Sequence, residues 1–213
     1  MKVATKMLLL VVLLSVGDCQ LSAQAKAPAK KAAAGAKTAK AKAKPKAAAQ
    51  DRTPVEQLQV YVDGFHNHKR DANLDAEQQK QIRVTHYCQP LNPDFIQCAV
   101  YDGNSKSARL IGIEHIISDK DFQALPENEK AFWHPHDGEV DSGMLDLPGM
   151  AEAQKTGMLQ MIRSTHGKTW HVWESYKDKI PMGEPSLMWA IDKDKANSET
   201  KRGMEQRKKD PKF

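Results

Sequence analysis

Residues 26–50 (KAPAKKAAAGAKTAKAKAKPKAAAQ) hold eight lysines, no acid and no large apolar side chain. A stretch of that composition has nothing to bury, and its like charges repel along the chain. It reads as a solvated tether over 26–52 that spaces the domain or binds an anionic envelope surface. Any fold must therefore be built downstream. Upstream, Lys2 and Lys6 precede a run from Met7 to Val16 that is apolar but for Ser15, and a small-x-small site, Ala23-Gln24-Ala25. Such a run is too short for a stable span, which needs about 20 apolar residues. The pattern predicts a signal peptide over 1–25, export to the periplasm or beyond, and no transmembrane anchor after cleavage. Lipidation at Cys19 is the lesser reading, because Asp18 stands where a small residue is needed.

The tether also misleads about charge. The whole chain is formally +5, yet residues 51–213 carry 22 Lys+Arg against 26 Asp+Glu, a net of −4. The folded part has no electrostatic case for nucleic acid. With Cys19 removed, Cys88 and Cys98 remain, in a compartment where a disulfide persists.

From Thr53 the composition is globular. Val55, Leu58, Val62 and Phe65 stand near helical spacing, so a helix is expected over 54–65. Strands are expected at 82–88, 95–101, 108–117, 139–147, 168–174 and 186–191. Mostly helical segments are expected at 119–133 and 150–165, the latter with Met150, Met158, Met161 and Ile162 inward. The segment 193–213 is charged and lacks apolar periodicity, so a flexible tail is expected. Strands in hairpins with a few helices between them predict an α+β domain over 53–192 with a mainly antiparallel sheet. If 82–88 and 95–101 pair about Pro93, Cys88 and Cys98 face each other within disulfide reach; bonded and merely packed thiols both fit the sequence.

The densest polar constellation is Trp133-His134-Pro135-His136-Asp137-Gly138-Glu139. Histidine and carboxylate are the usual ligands of zinc, manganese and iron. His-x-His puts both rings on one face if extended, and Pro135 favours extension at His134. Glu139 can rejoin them only if the chain turns near Gly138. A third ligand must come from elsewhere, and His66, His68, His86, Glu114, His115, His166 and His171 are all candidates. A hydrogen-bonded His/Glu brace is the competing reading. Walker, dinucleotide, G-x-S-x-G and C-x-x-C motifs are missing from the sequence.

Several segments in order, His86-Tyr87-Cys88, Gln97-Cys98, Tyr101-Asp102, Ala108 to Glu114, Trp133-His134-Pro135-His136, Ser142-Gly143-Met144-Leu145 and Gly167-Lys168-Thr169-Trp170, give a chain that resembles the oil body-associated protein family. The resemblance covers about residues 60–190. It implies a domain with no established enzymatic activity, whose plant members associate with seed oil bodies. It carries over His66, His86, Glu114, His134, His136 and Glu139 as a shared set, and sets His68, His115 and His171 apart. Both cysteines match too, including in relatives expected in reducing cytosol, so packing comes before any bond. The sequence thus predicts an exported binding or structural domain with a His/Glu metal site. A metal-dependent hydrolase or oxygenase is the runner-up, and an envelope protein acting through its tether the third reading.

Overall fold

A computed structural model describes residues 52–209. The expected signal peptide and all but the last residue of the tether lie outside that range. Among the described residues no helix is long and apolar enough to cross a membrane.

In chain order the elements are α1 (Thr53–Glu56), β1 (Val60–His68), β2 (Gln81–Asn92), β3 (Phe95–Tyr101), β4 (Leu110–Ser118), α2 (Asp119–Gln123), α3 (Glu127–Lys130), β5 (His134–Pro135), α4 (Asp137–Asp141), α5 (Glu152–Arg163), β6 (Thr165–His171), β7 (Ser186–Ala190) and α6 (Ser198–Lys209). All strand pairings are antiparallel. The sheet runs β4-β3-β2-β1-β7-β6, and a β4–β6 pairing closes it into a barrel. β7 pairs Thr169 to His171 of β6, and the two-residue β5 takes over the same edge at Gly167 and His166. The α+β expectation holds, with closure as the feature alternation alone did not reveal.

Period-2 alternation assigns the interior. Along β2, Val84, His86 and Cys88 are buried, and along β6 Thr165, Gly167, Thr169 and His171 are. Three apolar clusters result, of which Phe65, Met144 and Ile191 form one that packs with Met204, and two more are built on the β2 face. One gathers Val62, Cys88, Ile96, Cys98, Ile116, Leu145, Leu147 and Ile162. The other gathers Val84, Val100 and Ile111. His86 sits between Val84 and Cys88, so a polar layer lies between these two clusters. Cys88 and Cys98 are register partners, Cα atoms 4.1 Å apart, and are bonded. Asn92 turns the hairpin by accepting the amide N–H of Asp94 at 2.9 Å.

Four expectations are corrected. The helix over 54–65 is one turn followed by β1. Its Val-Tyr-Val run favours a strand, and both faces are buried because Asp63, His66, Asn67 and His68 go inside with Val62 and Phe65. The strand over 139–147 is instead α4 and a loop; only Asp146 bridges, exchanging two 2.9 Å backbone bonds with Asp63. In α5, Met161 faces solvent while Ile162 is buried, and Met158, with Met150 ahead of the helix, packs on the core.

The flexible tail after Asp192 is α6, so the domain extends to Lys209. Asn197 caps it, accepting the Thr200 amide at 2.9 Å, and Thr200 donates to Gln81 Oε1 at 2.7 Å. Arg207, 6% exposed, donates to Asp63 Oδ1 at 2.8 Å, Met144 O at 3.0 Å and Gly143 O. Arg83 holds the other oxygen of Asp63 at 2.7 Å. A Cβ at Gly203 would meet the Phe65 ring at 2.9 Å, so glycine lets the helix lie on β1. Polar anchors hold this helix, so apolar periodicity could not reveal it.

Candidate metal centre

The six residues singled out in the sequence meet in the polar layer of the barrel. His66 comes from β1, His86 from β2 and Glu114 from β4, each on the inward face of its strand. β5 presents His134 directly opposite Gly167 of β6. After Pro135 the chain leaves the extended form: His136 has φ −98° and ψ −6° and caps α4. One helical turn then places Glu139 three residues on, its Oε1 3.8 Å from His136 Nε2. The turn that Glu139 needed is thus helical rather than a bulge. All six side chains are buried.

Glu114 is the hub. Its Oε2 lies 2.9 Å from His86 Nε2, while its Oε1 lies 3.5 Å from His134 Nε2 and 3.4 Å from His136 Nε2. The short His86 approach is off hydrogen-bond alignment: both ring nitrogens of His86 are buried without a hydrogen-bond partner, as is His134 Nδ1. Buried polar atoms left so are uncommon and call for a reason.

One tautomer can be assigned from the network. Thr165 donates its hydroxyl proton to Ile162 O at 2.6 Å, so toward His136 Nδ1, 2.8 Å away, it can only accept. His136 therefore carries its proton on Nδ1. In the neutral ring, Nε2 is a lone pair facing the Glu114 carboxylate at 3.4 Å. Two electron-rich atoms face each other, and a cation belongs between them, whether a proton or a metal ion.

Gly167 marks the place. A Cβ there would lie 2.8 Å from His134 Nε2, 2.6 Å from His136 Nε2 and closer still to Glu114 Oε1. Three ligand atoms thus converge on the space beside one glycine. With metal–ligand bonds of about 2.0–2.1 Å, atoms on a tetrahedral ion stand about 3.3 Å apart. The Glu114–His134 and Glu114–His136 separations are close to that edge.

Electrostatics divide the cluster. Burial opposes the Glu114 charge, but His134, His136 and His86 outweigh it and hold its carboxyl well below the usual range. Burial, with His86 and His171 beside it, pushes His66 well below the ordinary histidine value. Burial likewise lowers His134. For His136 burial is outweighed by Glu114 and Glu139, and its pKa is raised. Burial lifts Glu139 to about 7, with Glu114 adding to the rise and His136 opposing it. Neutral His66 and His134 beside an ionised Glu114 are the protonation states that metal ligation requires, whereas His136 must give up a proton to join them.

The other histidines divide differently. His171, which the resemblance set apart, is inside: its Nε2 lies 3.1 Å from His66 Nδ1, and burial holds it at about 3. Its signal was the small-residue alternation Thr165-x-Gly167-x-Thr169 that leads to it on one strand face. That alternation also holds Thr165 and Gly167, whose roles at the site no motif declares. His68 lies away from this cluster, 3.5 Å from Glu174 Oε1 and from the Tyr176 hydroxyl. His115 stacks on Phe95 and His166 on Phe122. Trp133 braces the segment before His134 by donating its ring N–H to Glu129 at 3.0 Å.

A family model described as protein of unknown function (DUF1264) matches residues 52–212. The chain is 36% identical over 149 residues to oil body-associated protein 1B of Arabidopsis thaliana, covering 70% of this chain and 59% of that protein. It is 38% identical over 143 residues to oil body-associated protein 2A of the same plant, covering 67% and 56%. With oil body-associated protein 1A of Zea mays it shares 35% over 143 residues, covering 67% and 58%. The match thus spans little more than half the length of these curated relatives. No solved structure matches the chain.

Proposed function

This chain belongs to the oil body-associated protein family, and from its buried cluster we propose that its domain binds a first-row transition metal ion through Glu114, His134 and His136. The observation that carries the reading is the lone pair of His136 Nε2, fixed by Thr165, set against Glu114 Oε1 beside Gly167. Thr165 is the outer-sphere partner that such a ligand needs, because it fixes tautomer and ring orientation. Glu139 stands next to His136 as a fourth ligand or as its partner. Nitrogen-rich donors favour zinc, manganese or iron over calcium. The burial of every ligand favours a closed binding or structural site over a catalytic one, which keeps an open position.

The test is elemental analysis of the full chain purified without a histidine tag, followed by melting with and without a chelator. A chelator should lower the wild-type Tm and leave His134→Ala unmoved. Metal-free protein whose melting ignores both chelator and added ion rejects the site and leaves a hydrogen-bonded brace.

Export supports the setting of this reading rather than the site. The basic n-region, apolar run and Ala-Gln-Ala site argue for secretion. A mature chain beginning near Lys26 is the expected result of N-terminal sequencing; one beginning at Met1 rejects export. The eight lysines of 26–50 would then lie against an anionic envelope surface.

A further inference from the structure

The centre holds more ligand atoms than one ion can use. Two atoms bound to the same ion at about 2.1 Å stand at most about 4.2 Å apart. The buried ligands do not close into one group even within 4.8 Å; they fall into two triads, Glu114–His134–His136 and His66–His86–Glu114. The two triads share Glu114, and they share it by different oxygens. Oε1 faces His134 and His136, while Oε2 faces His86. His86 has neither ring nitrogen in a hydrogen bond. His66, its neighbour at 5.0 Å between ring centroids, is braced on its Nδ1 side by His171 at 3.1 Å. That brace orients the His66 ring as Thr165 orients His136, with either ring nitrogen able to donate across it.

Resting on the single-ion reading above, we propose that the barrel holds a dinuclear centre. A second transition metal ion sits at His66 and His86, and the Glu114 carboxylate bridges the pair. Bridging carboxylates hold paired ions about 3.5–4 Å apart in two-metal sites. Two divalent ions bring more positive charge than Glu114 and Glu139 supply negative, so the sites fill in sequence. The second ion binds at least tenfold more weakly than the first.

The experiment uses the full chain, stripped by chelation and titrated with Mn(II). Bound metal is counted after desalting, and the spectrum is read by electron paramagnetic resonance. Two ions per chain with a broadened, exchange-coupled signal are expected. His66→Ala should keep one ion and return the six-line spectrum of an isolated Mn(II). His66→Gln, which retains a hydrogen-bonding group toward His171, should do the same and guards against a folding defect in the alanine variant. One ion in the wild type, unchanged in both His66 variants, overturns the second site and leaves the single-ion reading standing. Two ions with an uncoupled spectrum overturn the bridge through Glu114. No bound ion overturns both readings.

Discussion

Gly167→Ala tests the metal site without touching a ligand. The backbone tolerates the change, since Gly167 is not among the glycines at positive φ. The new methyl occupies the convergence of Glu114 Oε1, His134 Nε2 and His136 Nε2, two of them at 2.8 and 2.6 Å or closer. Overpacking of that kind destabilises by about 1–3 kcal/mol. A methyl also removes chain entropy from the unfolded state, which offsets about 0.4–1 kcal/mol. The metal-free variant should therefore unfold about 0–2.5 kcal/mol more easily than metal-free wild type. The larger effect is on the ion. At free metal 100-fold above Kd, binding stabilises the wild type by about 2.7 kcal/mol. For a domain of this size that is about 5–11 °C in Tm. Gly167→Ala should lose that increment and one bound ion per chain. Differential scanning calorimetry with and without chelator, beside elemental analysis, reads both. A variant that keeps its full metal content refutes the placement of the ion, however much its stability falls.

The other predictions follow from neighbouring groups. Because Glu139 is lifted from 4.5 to about 7, its contribution to metal-free stability is full below the lower value and lost as pH rises through the higher. Glu139→Gln should then match wild type below about pH 4 in urea melts and exceed it above about pH 8 by about 3 kcal/mol; a less stable variant at the higher pH contradicts the sign. Arg207→Ala leaves the carbonyls of Gly143 and Met144 short of a donor and Asp63 with Arg83 as its remaining side-chain cation, so denaturant unfolding should show a loss of about 3 kcal/mol. No change in that melt would mean that α6 is not anchored there. Closing the short loop between Cys88 and Cys98 stabilises by about 2–3 kcal/mol on chain-entropy grounds, so Cys88→Ser should fall by that amount when compared with oxidised wild type.

Strands that alternate apolar and polar residues were legible, and so were the facing cysteines, because period 2 and a two-proline turn leave few registers. β1 was not, since Asp63, His66, Asn67 and His68 are inside and break the hydrophobic count that identifies a buried strand. The same substitution of polar for apolar burial hid α6, whose anchors are Thr200 and Arg207. For the centre, residue types and the His-x-His spacing named His134, His136 and Glu139, the family resemblance picked His66, His86 and Glu114 from the other candidates, and the fold brings the six together. Which oxygen of Glu114 faces which histidine is a three-dimensional fact with no local signature. Gly167 and Thr165 showed no sign of a place at the site for a different reason: a glycine and a threonine announce no chemistry until something is placed beside them.

Barrel closure also orders events in time. β1 finds β2 almost at once along the chain, but its other neighbour is β7, with His66 opposite Ala190, and β4 waits for β6, with Gly112 opposite His171. Asp63 waits longer still, for Arg207. Contacts of such long sequence separation form late and slowly, because the loop must close before they contribute. The β2-β3-β4 meander can assemble early, yet the wall stays open until nearly the last residue has emerged. A chain of this design cannot complete its wall without β7, so a fragment that stops short of Ser186 leaves β1 with β2 as its one strand neighbour among the described residues.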